Sequence, residues 1–280
     1  LVPIVESYKL ASRSFKPESS VIEVNGIKIG AGNIVIIAGP CAVENREQLL
    51  ETARAVKKAG ANMLRGGAFK PRTSPYSFQG LEEEGLRYMA EAKEETGLAI
   101  VSEVLSEKGV ESAWKYVDMF QVGARNMQNY QLLKEIGKSK KPTLLKRGLA
   151  ATIDEWLNAA EYIMSEGNRN VVLCERGIKT FETSTRSTLD ISAVPVVKNL
   201  SHLPVIVDPS HAAGKAVYVI PLANAAIAAG ADGIIVEVHP DPRHALTDAA
   251  QQIDFKTFEK LCSNIKQIAE VVGRSHISNR

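Results

Sequence analysis

The chain has 280 residues, 45% of them hydrophobic, and a formal net charge of +2 at neutral pH. That suits one α/β barrel of roughly 250 residues better than two ordinary enzymes, and so small a charge sets up no global field for nucleic acid or a membrane surface. No apolar run is long enough to span a bilayer, and three scattered cysteines, Cys41, Cys174 and Cys262, make no disulfide framework, so a cytoplasmic protein is expected.

The chain opens on Leu1. Val21 to Val24 and Ile27 to Ile29 alternate in polarity on either side of Asn25-Gly26, the pair that a type I′ hairpin turn needs at its two positive φ angles. From Ile34 onward, short β-branched runs alternate with amphipathic stretches. The expected strands are Ile34–Ala38, Met63–Gly66, Ala99–Glu103, Met119–Val122, Thr143–Lys146, Val171–Cys174, Pro204–Val207 and Gly233–Glu237. Helices are expected between them at Gln48–Lys58, Leu81–Glu95, Ile153–Met164 and Val217–Ala229, and after the last strand at Phe255–Val272. Glu82, Glu83 and Glu84 suit the positive end of a helix dipole. Gly60, Gly97, Gly137, Gly167 and Gly230 fall where helices should stop. Continuous apolar strands alternating with helices mean a parallel sheet. Eight of them, with Gly39-Pro40-Cys41 in place of a dinucleotide fingerprint after the first, predict an α/β fold. The reading is a (β/α)8 TIM barrel over residues 33–272, an extension with a β-hairpin at 1–32 and a tail at 273–280. With about thirty residues ahead of the barrel, no separate regulatory domain is expected there.

A barrel places its chemistry at the carboxyl ends of its strands, and here all eight ends carry polar or charged residues. In order they bring Cys41; Arg65 and Lys70 with Arg72, Thr73 and Ser74; Glu103; Gly123, Ala124 and Arg125; Lys146 and Arg147; Glu175 and Arg176; Asp208 and His211; and Glu237 with His239. The cations Arg65, Lys70, Arg72, Arg125, Lys146, Arg147 and Arg176 would repel one another around one mouth unless anions bind there. Phosphate and carboxylate are the anions that arginine grips through two parallel hydrogen bonds. A rim of solvated charges explains a single arginine better than it explains the whole set.

Cys41, His211 and Glu237 end strands one, seven and eight, which become neighbours once a barrel closes, and Asp248 follows in the next loop. Thiolate, imidazole and two carboxylates suit Mn²⁺, Fe²⁺, Co²⁺ or Zn²⁺. The ligands are scattered, so spacing alone leaves the plain alternatives open: Cys41 as a small buried hydrophobe and His211 as a hydrogen-bonded loop residue. Cys174 and Cys262 sit among apolar neighbours and read as core.

Several motifs carry a resemblance. They are Gly39-Pro-Cys-Ala-Val-Glu44, Leu64-Arg-Gly-Gly-Ala-Phe-Lys-Pro-Arg-Thr-Ser-Pro-Tyr-Ser-Phe-Gln-Gly80, Gly123-Ala-Arg-Asn126, Leu144-Leu-Lys-Arg-Gly148, Leu173-Cys-Glu-Arg-Gly177, Leu189-Asp-Ile-Ser-Ala193, Asp208-Pro-Ser-His211 and Glu237-Val-His-Pro240. Together, over about Tyr8 to Val272, the chain resembles the 3-deoxy-D-arabino-heptulosonate 7-phosphate (DAHP) synthases in their short microbial type I beta pattern. The 3-deoxy-octulosonate 8-phosphate synthases share the fold but usually carry an Ala-Asn-Arg-Ser type stretch after the common lysine. Lys70-Pro71-Arg72-Thr73-Ser74 is the heptulosonate pattern. Cys41, which metal-free octulosonate enzymes replace with asparagine, implies metal dependence. Ala212-Ala213-Gly214-Lys215 and Ala249 depart from the usual pattern without touching an implied ligand.

The resemblance implies a shikimate-pathway transferase that condenses phosphoenolpyruvate with D-erythrose 4-phosphate and water to give DAHP and phosphate. It implies one divalent metal ion, Mn²⁺ first, with Fe²⁺, Co²⁺, Zn²⁺ or Cd²⁺ as alternatives, held by Cys41, His211, Glu237 and Asp248. It places the phosphoenolpyruvate phosphate on Arg125, Lys146 and Arg176 near the Gly123–Ala124 backbone, and the carboxylate on Arg65 and Lys70. Erythrose 4-phosphate falls to Arg72, Thr73 and Ser74, with His211 and Asp241 also at the substrates. Lys70 is the candidate general acid, and Glu103 the candidate to orient a water. A homotetramer or homodimer is implied, with no nucleic-acid or membrane partner. Two other readings differ in kind: a Schiff-base aldolase built on Lys146, which borohydride trapping would reveal, and a sugar-phosphate sensor, which loss of Lys70 or Cys41 would favour.

Overall fold

Asn25 and Gly26 take φ angles of 47° and 81°, and β1 (Ile22–Val24) and β2 (Ile27–Ile29) pair antiparallel around them. This hairpin leads into eight parallel strands: β3 (Asn33–Gly39), β4 (Met63–Arg65), β5 (Ala99–Glu103), β6 (Met119–Val122), β7 (Thr143–Lys146), β8 (Val171–Glu175), β9 (Val205–Val207) and β10 (Gly233–Glu237). The computed structural model describes residues 7–70, 76 and 78–276, with the backbone alone at His276. Each strand pairs with the next, and β10 closes onto β3 with Gly233 opposite Val35 and Glu237 opposite Gly39. The seam needs its glycine: a Cβ on Gly233 would stand 2.2 Å from the Val35 carbonyl oxygen.

Strand alternation divides the apolar residues into two cores. Val35 and Ile37 point into the barrel, where they meet Met63, Val101, Met119, Leu144, Val172, Ile206 and Ile235. Ile22, Val24 and Ile29 join this inner core, so the hairpin closes the end of the barrel where the strands begin. Ile34, Ile36 and Ala38 point outward to a second core beneath the helices.

The helices are α1 (Arg46–Ala59), α2 (Glu82–Thr96), α3 (Glu107–Ala113), α4 (Tyr130–Ser139), α5 (Ile153–Ser165), α6 (Ala193–Leu200), α7 (Pro209–Ala213), α8 (Val219–Ala228) and α9 (Phe255–Val271). Side-chain caps start several of them: Asn45 accepts from Gln48 N, and Thr152 and Glu155 form a capping box. Gly60 and Gly97 end helices in the left-handed conformation, as expected. Gly137 does not. It lies inside α4, where a Cβ would meet Glu166 Cβ at 2.6 Å, so it serves the close approach of α4 to α5; Lys140 takes the cap.

Tyr8 and Ala11 are buried in the outer core, and the Glu161 carboxylate accepts from Leu10 N and Ala11 N. The short strand β11 (Ser275–His276) adds to the start of β3. Among the described residues no helix is long and apolar enough to cross a membrane.

Candidate active site

Side chains that continue the inward parity of each strand meet at the carboxyl end of the barrel. Arg65, Glu103, Gln121, Lys146 and Arg176, with Gly123 and Ala124 nearby, line an open cavity of about 260 Å³. Lys70, Arg125, Lys179, Arg186, His211 and Asp248 complete its charged wall. Among the described residues the wall therefore carries seven cations against the carboxylates of Glu103 and Asp248. Gly123 leaves room for the Glu103 carboxylate on this wall, because a Cβ would stand 2.0 Å from Glu103 Oε1. The Glu103 carboxylate also accepts from Gln121 Nε2 at 3.2 Å.

Beside the cavity, the thiol of Cys41 and the carboxylates of Glu237 and Asp248 each offer a ligand atom within 4.8 Å of the others. Gly39 makes this possible. Its φ is 155°, and a Cβ there would strike the Arg65 carbonyl oxygen at 2.0 Å, so only glycine lets the chain turn Cys41 inward beside β4. Lys70 Nζ lies 2.9 Å from Cys41 O and 3.1 Å from Cys41 Sγ. Cys41 Sγ is 3.4 Å from Asp248 Oδ2. Arg65 Nη1 donates to Glu237 Oε1 at 2.5 Å, with both side chains buried. Burial, and then the charge of Glu237, push the Cys41 thiol up to about 12 against the pull of Lys70 and Arg65. Burial alone would raise Glu237 too; the neighbouring His211, Arg65 and Lys70 hold it well below the usual carboxylate range.

His211 adjoins this group rather than completing it. Its Nε2 lies 3.4 Å from Glu237 Oε1, but it is not one of the three groups drawn within 4.8 Å of one another. Its Nδ1 is 2.7 Å from Asp208 Oδ2, which also takes the Lys146 ammonium at 2.5 Å. Asp208 caps α7 through His211 N at 2.9 Å. Burial holds the His211 imidazole below its ordinary value. A neutral ring then donates Nδ1–H to Asp208 and leaves the Nε2 lone pair facing the Glu237 side. Lys146 is thus committed to an ion pair, not to the apolar setting that a Schiff-base lysine needs.

Other expected residues fall elsewhere. Arg147 is not a mouth cation: it follows the outward parity, and its guanidinium sits 2.9 Å from Glu175 and 2.8 Å from Asp190 in a buried cluster behind the strands. Asp241 does not reach the cavity either. It is exposed, caps a short turn through Arg243 N, and lies 2.6 Å from His244 Nδ1. Arg72, Thr73 and Ser74 lie outside the described residues. Arg176 lines the mouth as expected, buried and bonded to Ser187 Oγ at 3.0 Å. Sequence pattern gave no hint of Arg186, which reaches Asp248 from the long β8–α6 connection, nor of Gln251 and Gln252 behind the thiol–carboxylate group. Counting strand parity onward from the inner core would have set Arg147 aside and picked out Gln121.

A closed parallel barrel whose mouth pairs a cation-lined wall with a thiol–carboxylate cluster that could hold a metal ion defines a class: a (β/α)8 enzyme acting on small molecules. Residues 14–273 match the DAHP synthetase I family, and the chain belongs to it. It is 54% identical over 273 residues to a Thermotoga maritima protein described as phospho-2-dehydro-3-deoxyheptonate aldolase, covering 98% of this chain and 81% of that protein. The crystal structure of a T. maritima DAHP synthase superposes with a TM-score of 0.95 at 51% identity, over 99% of this chain and 80% of that one. A truncated form of the T. maritima synthase gives 0.90 at 49% identity, over 96% and 98%. A 2-dehydro-3-deoxyphosphooctonate aldolase of Geobacter sulfurreducens is 30% identical, over 90% of this chain and 98% of that protein.

Proposed function

We infer that this chain is a 3-deoxy-7-phosphoheptulonate synthase: it joins phosphoenolpyruvate to D-erythrose 4-phosphate with water and releases DAHP and phosphate. One observation carries the reading. Asp248 of the thiol–carboxylate cluster lines the cation-lined cavity, as does Lys70, which touches Cys41 behind it, so an anionic substrate held there lies beside a cluster suited to a divalent cation. The 54% identity to the heptonate aldolase, against 30% to the octonate aldolase, supports the shorter sugar.

The donor set fits a metal ion. Thiolate and two carboxylates gathered within 4.8 Å repel one another when ionised, and a dication relieves that repulsion. Cys41, Glu237 and Asp248 would hold the ion, with His211 as fourth ligand; the resemblance supports Mn²⁺ as the natural one. When bound, the ion would supply Lewis acidity to the aldehyde oxygen or orient a water.

The chain's own residues do the rest. Arg125, Lys146 and Arg176 take the phosphoenolpyruvate phosphate beside the Gly123–Ala124 backbone, and Arg65 and Lys70 take its carboxylate. Arg72, Thr73 and Ser74 take erythrose 4-phosphate, a role that rests on the resemblance. Carbon three of phosphoenolpyruvate bonds to the aldehyde carbon, and Lys70 donates a proton to the new alkoxide. Water, oriented by Glu103, adds at carbon two, and the tetrahedral adduct expels phosphate by carbon–oxygen cleavage. The barrel of residues 33–272 is the catalytic unit. The resemblance also supports a homotetramer or homodimer in the cytoplasm, with no nucleic-acid or membrane partner.

The test is phosphate release by the Mn²⁺-loaded protein, with erythrose 4-phosphate and a five-carbon aldose phosphate assayed in parallel. Release that depends on erythrose 4-phosphate is expected. No release, or faster release with the longer sugar, overturns the reading.

A further inference from the structure

Two successive side chains in the loop after β10 back the thiol–carboxylate cluster. Gln251 Nε2 donates to Glu237 Oε2 at 2.6 Å, while its Oε1 accepts from Arg186 Nη1 at 2.8 Å. Gln252 Oε1 accepts from Cys41 N at 3.1 Å, and its Nε2 donates to Thr247 O at 2.9 Å. Both glutamines are buried, at 2% and 1% exposure. Each amide uses its acceptor on one partner and its donor on another. Turned over, Gln251 would set its oxygen against the Glu237 carboxylate and its NH₂ against Arg186; Gln252 would set NH₂ against the Cys41 N–H. Neither amide can flip, so each partner is held in one place.

The same loop carries Asp248, whose carbonyl accepts from Gln251 N at 3.1 Å. Arg186 Nη1 also lies 3.3 Å from Asp248 Oδ1. Glu237, Cys41 and Asp248 come from three separate segments, and this pair of amides ties all three together.

We propose that Gln251 and Gln252 are positioning residues for the divalent metal ion, Gln251 by fixing the Glu237 carboxylate and Gln252 by fixing the backbone that presents the Cys41 thiol. The proposal rests on the reading of Cys41, Glu237 and Asp248 as metal ligands. An amide hydrogen bond leaves Glu237 fully anionic while fixing its plane, and a fixed carboxylate needs less reordering when the ion arrives.

The experiment titrates Mn²⁺ into the full chain stripped by chelator, reading free Mn²⁺ by its paramagnetic resonance signal, for wild type, Gln251→Met and Gln252→Met. Both variants should bind Mn²⁺ roughly 10- to 100-fold more weakly. In Cd²⁺-loaded protein, Gln252→Met should also weaken the ultraviolet thiolate-to-metal absorption, which a merely structural role would leave alone. If a methionine variant melts below wild type without metal, Gln251→Asn and Gln252→Asn, which keep the amide but shorten its reach, should bind just as weakly. Affinities within about twofold of wild type in folded variants overturn the proposal. A wild-type chain that takes up no Mn²⁺ overturns the metal reading beneath it instead.

Discussion

Lys70 sets its ammonium nitrogen 3.1 Å from Cys41 Sγ and 2.9 Å from the Cys41 carbonyl oxygen, between the cation-lined cavity and the thiol–carboxylate cluster. A lysine in that place can give a proton to an oxygen that bonds beside the thiol, and among the described residues no carboxylate forms an ion pair with it. Lys70→Met should therefore lower turnover by roughly 10²- to 10⁴-fold. Phosphoenolpyruvate affinity, measured by direct titration, should fall less, because Arg65 remains. Normal turnover in a variant that binds both substrates would remove Lys70 from the role of general acid.

Metal removal should abolish activity, and Mn²⁺ should restore it in wild type but not in Cys41→Ala. Cys174 and Cys262 offer a built-in control. Both are buried among apolar side chains, so the thiolate-to-Cd²⁺ absorption of the loaded protein should vanish with Cys41 alone. Full activity in protein shown by elemental analysis to be metal-free would sink the site.

The eight strands were legible because β-branched runs and glycine punctuation report local preference. The mouth was legible for a related reason: chemistry in a barrel gathers at strand ends. Arg147 marks where that reasoning stops. Lys146 and Arg147 are adjacent cations at one strand end, but successive side chains point to opposite faces. Leu144 belongs to the inner core and Leu145 to the outer, so Lys146 turns into the mouth and Arg147 away from it. Its partners Glu175 and Asp190 stand 28 and 43 residues further along, and no local pattern announces them. The same holds for Gln251 and Gln252, whose type suggests nothing until Glu237 and Cys41 are seen against them.

The placement of Arg147 separates a role in stability from one in anion binding. Removing its guanidinium leaves the buried Glu175 and the partly buried Asp190 carboxylates with no other ion pair among the described residues. Arg147→Met should cost about 3–5 kcal/mol of stability in urea unfolding. Affinity for phosphoenolpyruvate in the folded variant should stay near wild type. A stable variant with weakened substrate binding would restore Arg147 to the mouth.

Gly123 and Glu103 form a coupled pair. A methyl on Gly123 would stand 2.0 Å from Glu103 Oε1, so the carboxylate must swing away from its place on the cavity wall. Gly123→Ala should reduce kcat/KM on the order of 10²-fold. In a Glu103→Ala background the same change should cost much less, because the obstruction is gone. Equal costs in the two backgrounds would mean that the backbone at Gly123, and not the Glu103 carboxylate, is what the methyl disturbs.

His202 gives the protein a pH dependence remote from the mouth. It is 4% exposed. Its Nε2 lies 2.7 Å from the Leu10 carbonyl, which can only accept, so Nε2 carries the proton. Nδ1 must then accept from Ser20 Oγ at 2.8 Å, and that oxygen in turn accepts from Lys16 Nζ. The arrangement suits a neutral ring. Burial first, with Lys16, Arg13 and Arg169 nearby, holds the imidazole below its ordinary value despite the pull of the Leu10 carbonyl. The unfolded chain therefore binds a proton at His202 more readily than the folded one, and stability must rise with pH across that window. The contribution is fully present above the unfolded value of about 6.5 and is lost as the pH falls below it, until the folded ring also protonates. Melting temperature should drop between about pH 7.5 and about pH 5.5. His202→Gln, which keeps a donor for Leu10 but cannot titrate, should flatten that drop. An unchanged slope in the variant would assign the acid sensitivity to other groups.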